Sequence, residues 1–141
     1  VGRKVTNAKI REDFLMLERI LCVEDDPDIQ AVAKLTLEAL GGFTVTLCSS
    51  GAEALKAVET FTPDMILLDV MMPGMDGPDT LAALRQKPAL SQVPVAFMTA
   101  RVQPEQVSRY LALGACGVIA KPFDPLTLSH QVTSLWPGET P

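Results

Sequence analysis

Five short apolar runs, separated by longer amphipathic segments, constrain this chain more than any other feature: "RILCV" (19–23), "FTVTLC" (43–48), "DMILLD" (64–69), "VAFMT" (95–99) and "GVIA" (117–120). Each is long enough for a strand and too short for a helix. Between them apolar residues recur at helical spacing. Over 27–40, Ile29, Val32, Ala33, Thr36 and Leu40 share a face, and Gly41-Gly42 ends the segment. Over 50–60, Ser50 and Glu53 have the spacing of a capping box, and Ala54, Leu55 and Val58 turn inward. Segment 77–86 carries Leu81 and Leu84. Segment 104–113 opens at Pro104, and segment 125–136 opens at Pro125 and buries Leu128, Val132 and Leu135. Strand then helix, five times over, predicts an α/β fold. Its parallel sheet is covered on both faces, because right-handed crossovers place helices on either side.

At 141 residues, with 48% hydrophobic residues and a formal charge of -5, the chain suits one soluble domain with a sizeable core. Its apolar runs are too short to cross a bilayer and its first residues lack the apolar core of a secretory signal, so a cytoplasmic location is expected. Residues 1–19 hold five basic and three acidic side chains, against seven and fourteen in the remainder. An acidic body disfavours nucleic-acid binding. The domain is expected over 18–136, with an extension or linker at 1–17 and a tail at 137–141. The three cysteines form no CxxC pair and read as buried free thiols, and a lone His130 excludes HExxH.

In such a sheet, ligands bind beyond the carboxyl ends of the strands, where strand order reverses. The first run is followed by Glu24-Asp25-Asp26, the third ends in Asp69, the fourth in Thr99, and the fifth is followed by Lys121-Pro122. All fall on one edge. Carboxylates crowded there repel one another unless a cation is present, and Mg²⁺ suits few carboxylates plus a phosphate-bearing substrate. Asp25 or Asp26 has a second reading as the cap of the helix that starts at Pro27. Asp69 has no such role, since the next helix begins several residues later. It is placed to attack phosphorus and form an aspartyl phosphate, with Lys121 and Thr99 contacting phosphoryl oxygens. The loop "MMPGMDG" offers the Met71 backbone carbonyl as a metal ligand, and its methionines serve either packing or contact.

Four motifs in this order, "VEDDP", "LLDVMMPGMDG", "MTA" and "KPF", closely resemble the receiver (response regulator) domain of two-component signalling over roughly residues 18–136. The resemblance implies a flavodoxin-like (βα)5 fold with strand order 2-1-3-4-5. Asp69 would accept phosphate from a histidine kinase or histidine phosphotransfer protein. Asp25, Asp26, Asp69 and the Met71 carbonyl would bind Mg²⁺, or Mn²⁺ in its place, and Thr99 and Lys121 would read the phosphoryl group. It also implies an output domain or partner protein docking near residues 101–136, admits a homodimer, and carries self-dephosphorylation by water. Many receivers place Tyr or Phe three residues before the lysine, where this chain has Val118. Three rivals stand beside it. A haloacid-dehalogenase-like phosphatase needs an aspartate where Met71 stands. A flavin carrier needs a Ser/Thr-rich loop in place of Glu24-Asp25-Asp26. A phosphorylation-independent pseudo-receiver usually lacks the aspartate or the lysine.

Overall fold

A computed structural model describes residues 16–137. Most of the extension expected at 1–17, and the tail after Pro137, lie outside the described residues. The strands are β1 (Arg19–Val23), β2 (Thr44–Cys48), β3 (Met65–Asp69), β4 (Val95–Thr99) and β5 (Gly117–Ala120). The helices are α1 (Pro27–Ala39), α2 (Gly51–Ala57), α3 (Gly77–Arg85), α4 (Pro104–Ala112) and α5 (Leu128–Leu135), with a 3-10 turn at Pro88–Leu90. All strand pairs are parallel and their order is β2-β1-β3-β4-β5, the flavodoxin-like (βα)5 arrangement.

Side chains alternate across each strand, so consecutive apolar residues feed two cores. Leu21, Val23, Ile66, Leu68, Val95 and Phe97 face one side, where Ala54 of α2, Leu81 and Leu84 of α3 and Tyr110 of α4 close over them. Ile20, Cys22, Met65, Leu67, Ala96, Met98 and Ile119 face the other, beneath Ala33 and Leu37 of α1 and Leu128 and Val132 of α5. The thiols of Cys22 and Cys48 belong to these cores. Burial first, then nearby carboxylates, pushes them up to about 12 and about 11 respectively.

Several local expectations shift. On α1, Leu37 is fully buried whereas Val32 and Leu40 are 39% and 59% exposed, so the inward face is rotated from the expected one. Helix α5 starts at Leu128 rather than Pro125. Asp124 holds a turn there, its Oδ1 accepting the Leu126 N–H at 2.9 Å. On α2 the expected cap forms but the reciprocal half of the box is displaced by one residue: Ser50 Oγ accepts the Glu53 N–H, while the Glu53 carboxylate accepts the N–H of Ser49, the residue before the cap.

Candidate functional site

The ladder between β1 and β2 runs one residue past β1, with the Glu24 N–H donating to Cys48 O at 2.9 Å. Continued alternation turns the Glu24 side chain inward, where it is 0% exposed. Its Oε2 accepts the Asp26 N–H at 3.0 Å, and its Oε1 lies 2.9 Å from Lys121 Nζ. Asp69 closes β3 at 3% exposure, and its Oδ1 lies 3.1 Å from the same nitrogen. Glu24, Asp25 and Asp69 each offer an oxygen within 4.8 Å of the others.

The loop beyond Asp69 turns through Gly74, whose φ of 75° suits glycine. Gly77 then lets α3 close against the strand end, since a Cβ there would stand 2.5 Å from Asp69 O. Thr99 ends β4 almost fully buried, its Oγ1 accepting the Arg101 N–H at 3.0 Å. The Lys121 N–H donates to Thr99 O at 2.9 Å, which ties the β5 end to the β4 end. A pocket of about 160 Å³ lies among these groups, lined by Asp69, Met71, Thr99, Ala100, Arg101 and Lys121.

Charge in this corner is unbalanced. Burial raises the Asp69 carboxyl above its ordinary value, and hydrogen bonding to Lys121 opposes the rise. Burial likewise raises Glu24, against the pull of the Asp26 N–H and Lys121. Burial alone would lower Lys121, but its bonds to Glu24 and Asp69 outweigh that and hold it above the usual lysine range. One ammonium therefore serves two buried carboxylates, with Asp25 adjacent. An all-oxygen donor set with surplus negative charge can coordinate a metal ion and suits a hard divalent one.

Of the expected site residues, the fold brings Asp69, Thr99, Lys121 and Met71 around one pocket and Asp25 onto Asp69. Asp26, expected among the metal ligands, is not in that cluster. Its Oδ1 accepts the Asp28 N–H at 2.8 Å and the Ile29 N–H at 3.3 Å, capping α1. Glu24, absent from the expected ligand set, takes its place. The readable signal was Pro27: proline at the first helical position makes the residue before it the cap.

A doubly wound parallel sheet, with an acidic cluster, a lysine and a threonine gathered at its switch point, defines the class of phosphoryl-accepting signalling receivers. Comparison with known proteins agrees. The response regulator receiver domain family matches residues 20–133. The DNA-binding response regulator MtrA of Mycolicibacterium smegmatis is 38% identical over 117 residues, covering 83% of this chain and 50% of the relative. The alkaline phosphatase synthesis transcriptional regulatory protein PhoP of Bacillus subtilis is 36% identical, covering 85% of this chain and 49% of its own. The chain thus spans about half the length of these curated relatives. Among solved structures, the chemotaxis response regulator CheY4 of Vibrio cholerae superposes with a TM-score of 0.79 at 30% identity, covering 85% of this chain and 99% of that one. The chain belongs to the response regulator receiver domain family, and its function is that of a phosphoacceptor receiver in two-component signalling.

Proposed function

We propose that Asp69 is the residue phosphorylated, with a histidine kinase or histidine phosphotransfer protein as donor. Asp25, Asp69 and the Met71 carbonyl hold Mg²⁺ or Mn²⁺, with Glu24 rather than Asp26 as the third nearby carboxylate. The observation that carries this reading is Asp69 itself: a nearly buried carboxylate at the switch point, 3.1 Å from Lys121 Nζ, with a pocket of about 160 Å³ in front of it.

A lone pair on the Asp69 carboxylate forms the new O–P bond as the donor's P–N bond to histidine breaks, and the departing imidazole nitrogen takes up a proton. Lys121 moves from sharing Asp69 to contacting a phosphoryl oxygen, and the Thr99 hydroxyl donates to another. A bound divalent cation would neutralise charge on the transferring phosphoryl group. Arg101 is exposed at the pocket's rim, and self-dephosphorylation by water enters past it and Met71. Output is read by an attached domain or separate protein over 101–136, where Val102, Leu111 and Leu113 are exposed.

Intact-mass measurement after incubation with acetyl phosphate and Mg²⁺ tests the acceptor. The wild-type chain gains one phosphoryl group and Asp69→Ala gains none. Equal labelling of Asp69→Ala overturns the assignment.

A further inference from the structure

Helix α4 is held to the sheet in an unusual way: Tyr110 is the one buried residue among its nine. The Tyr110 ring packs on that of Phe97, with centroids 5.3 Å apart and planes inclined at 55°. Tilted pairs at such separations attract beyond the effect of area burial alone. Phe97 is fully buried in β4, two residues before Thr99, so both side chains leave the strand on one face. Its register partner on β5 is Val118, which packs into the same core. Val118 is small and stiff at χ1. The neighbouring strand supplies a ring beside it, and the helix supplies the second ring.

We propose that Phe97 and Tyr110 are positioning residues that couple Thr99 to α4. The inference rests on the reading of Asp69 as the phosphoacceptor and of Thr99 as a phosphoryl contact. A shift of Thr99 toward a phosphoryl group displaces the end of β4. Phe97 cannot absorb the displacement by changing rotamer inside a close-packed core, so the movement passes to Tyr110. Because Tyr110 is the buried anchor of α4, the helix follows. One turn earlier on the same helix, Gln106 Oε1 is buried without a hydrogen-bond partner among the described residues. The helix therefore sits in an arrangement with an unmet acceptor, which favours a second position.

The chain contains one tyrosine, so 3-fluorotyrosine incorporation gives this chain a single fluorine resonance, that of Tyr110. Phosphorylation by acetyl phosphate with Mg²⁺ is followed by intact mass while this resonance and deuterium uptake over 104–113 are recorded. In the wild type the resonance moves in step with phosphoryl stoichiometry, and uptake over 104–113 changes. Tyr110→Phe keeps the uptake change, because the ring remains. Phe97→Leu and Tyr110→Leu, labelled to the same stoichiometry, lose it. An unmoved resonance at full labelling overturns the proposal, as does a wild-type uptake change retained in both leucine variants. A wild-type chain that gains no phosphoryl group by mass fails the phosphoacceptor reading first, and this coupling falls with it.

Discussion

Asp64 immediately precedes β3 and Asp69 ends it, yet the two carboxylates stand in opposite kinds of surroundings. At the amino end, Asp64 Oδ2 accepts the N–H groups of Glu18 and Arg19 at 2.9 and 2.8 Å. The Asp64 carbonyl accepts the Trp136 indole N–H at 3.2 Å, and the Arg19 guanidinium lies 4.4 Å from the Phe61 ring centroid while its Nε donates to Thr62 O. Polar groups there are matched within the fold. At the carboxyl end, Asp69 shares one lysine with Glu24 and faces Asp25, so negative charge is in surplus. The same residue type, just before β3 and at its end, closes the structure on one side of the sheet and leaves it electrostatically unfinished on the other. Such a surplus is what a fold selected only for stability would remove, and it marks the end where chemistry happens.

Separating the two acidic neighbours of β1 sharpens the contrast most. Asp25→Ala should raise the Mg²⁺ concentration needed for labelling by at least roughly 10–100-fold, the scale of losing even a hydrogen-bonding neighbour of a metal ligand. Asp26→Ala should leave that concentration unchanged and instead cost about 1 kcal/mol of stability through loss of the α1 cap. Titrating Mg²⁺ against labelling, alongside denaturant unfolding, reads both. A larger change in Mg²⁺ dependence for Asp26→Ala than for Asp25→Ala would reverse the placement of these two residues.

At the closed end, Asp64→Ala should lower stability by about 1–2 kcal/mol, or roughly 3–10 °C in Tm, because two backbone donors lose their acceptor. Labelling at a temperature where the variant is folded should match the wild type. Loss of labelling in a folded Asp64→Ala would break the division between the two ends.

The opposite sign is expected at the open end. Asp69→Asn removes one of two carboxylates on a single lysine and should raise Tm by roughly 3–5 °C at neutral pH, about 1 kcal/mol. Burial raises the Asp69 pKa in the folded state, so the folded chain binds that proton more tightly than the unfolded one. Stability from this group is therefore present below the unfolded carboxyl pKa and lost as pH rises through the folded value. The Tm advantage of Asp69→Asn should shrink as pH falls across that window. An advantage that grows on acidification would contradict the surplus-charge account.

Much of this was readable in the amino-acid order, for a physical reason. Strands covered on both faces are written as continuous apolar runs, so β1, β4 and β5 fall where "RILCV", "VAFMT" and "GVIA" stand. Asp69, Thr99 and Lys121 were readable because each directly ends or follows such a run. Three consecutive acidic residues were harder: which of Glu24, Asp25 and Asp26 points inward depends on whether the ladder stops at Val23 or continues. It continues through Glu24, by one hydrogen bond to Cys48, and the buried carboxylate of the three is therefore Glu24. The phase of α1 was misplaced because Val32, Leu35, Leu37 and Leu40 are all apolar and only packing decides which of them face the sheet. The ring pair of Phe97 and Tyr110 joins residues on different elements, and no local pattern announces it.

The most direct measurement traps the acyl phosphate where it forms. After incubation with acetyl phosphate and Mg²⁺, borohydride reduction converts a phosphorylated aspartate to homoserine, and peptide mass spectrometry locates it. Homoserine at position 69, dependent on Mg²⁺ and absent elsewhere, is the predicted result. Reduction at Asp25 or Asp26, or none under conditions that label a control receiver, would contradict the assignment of Asp69 as the phosphoacceptor.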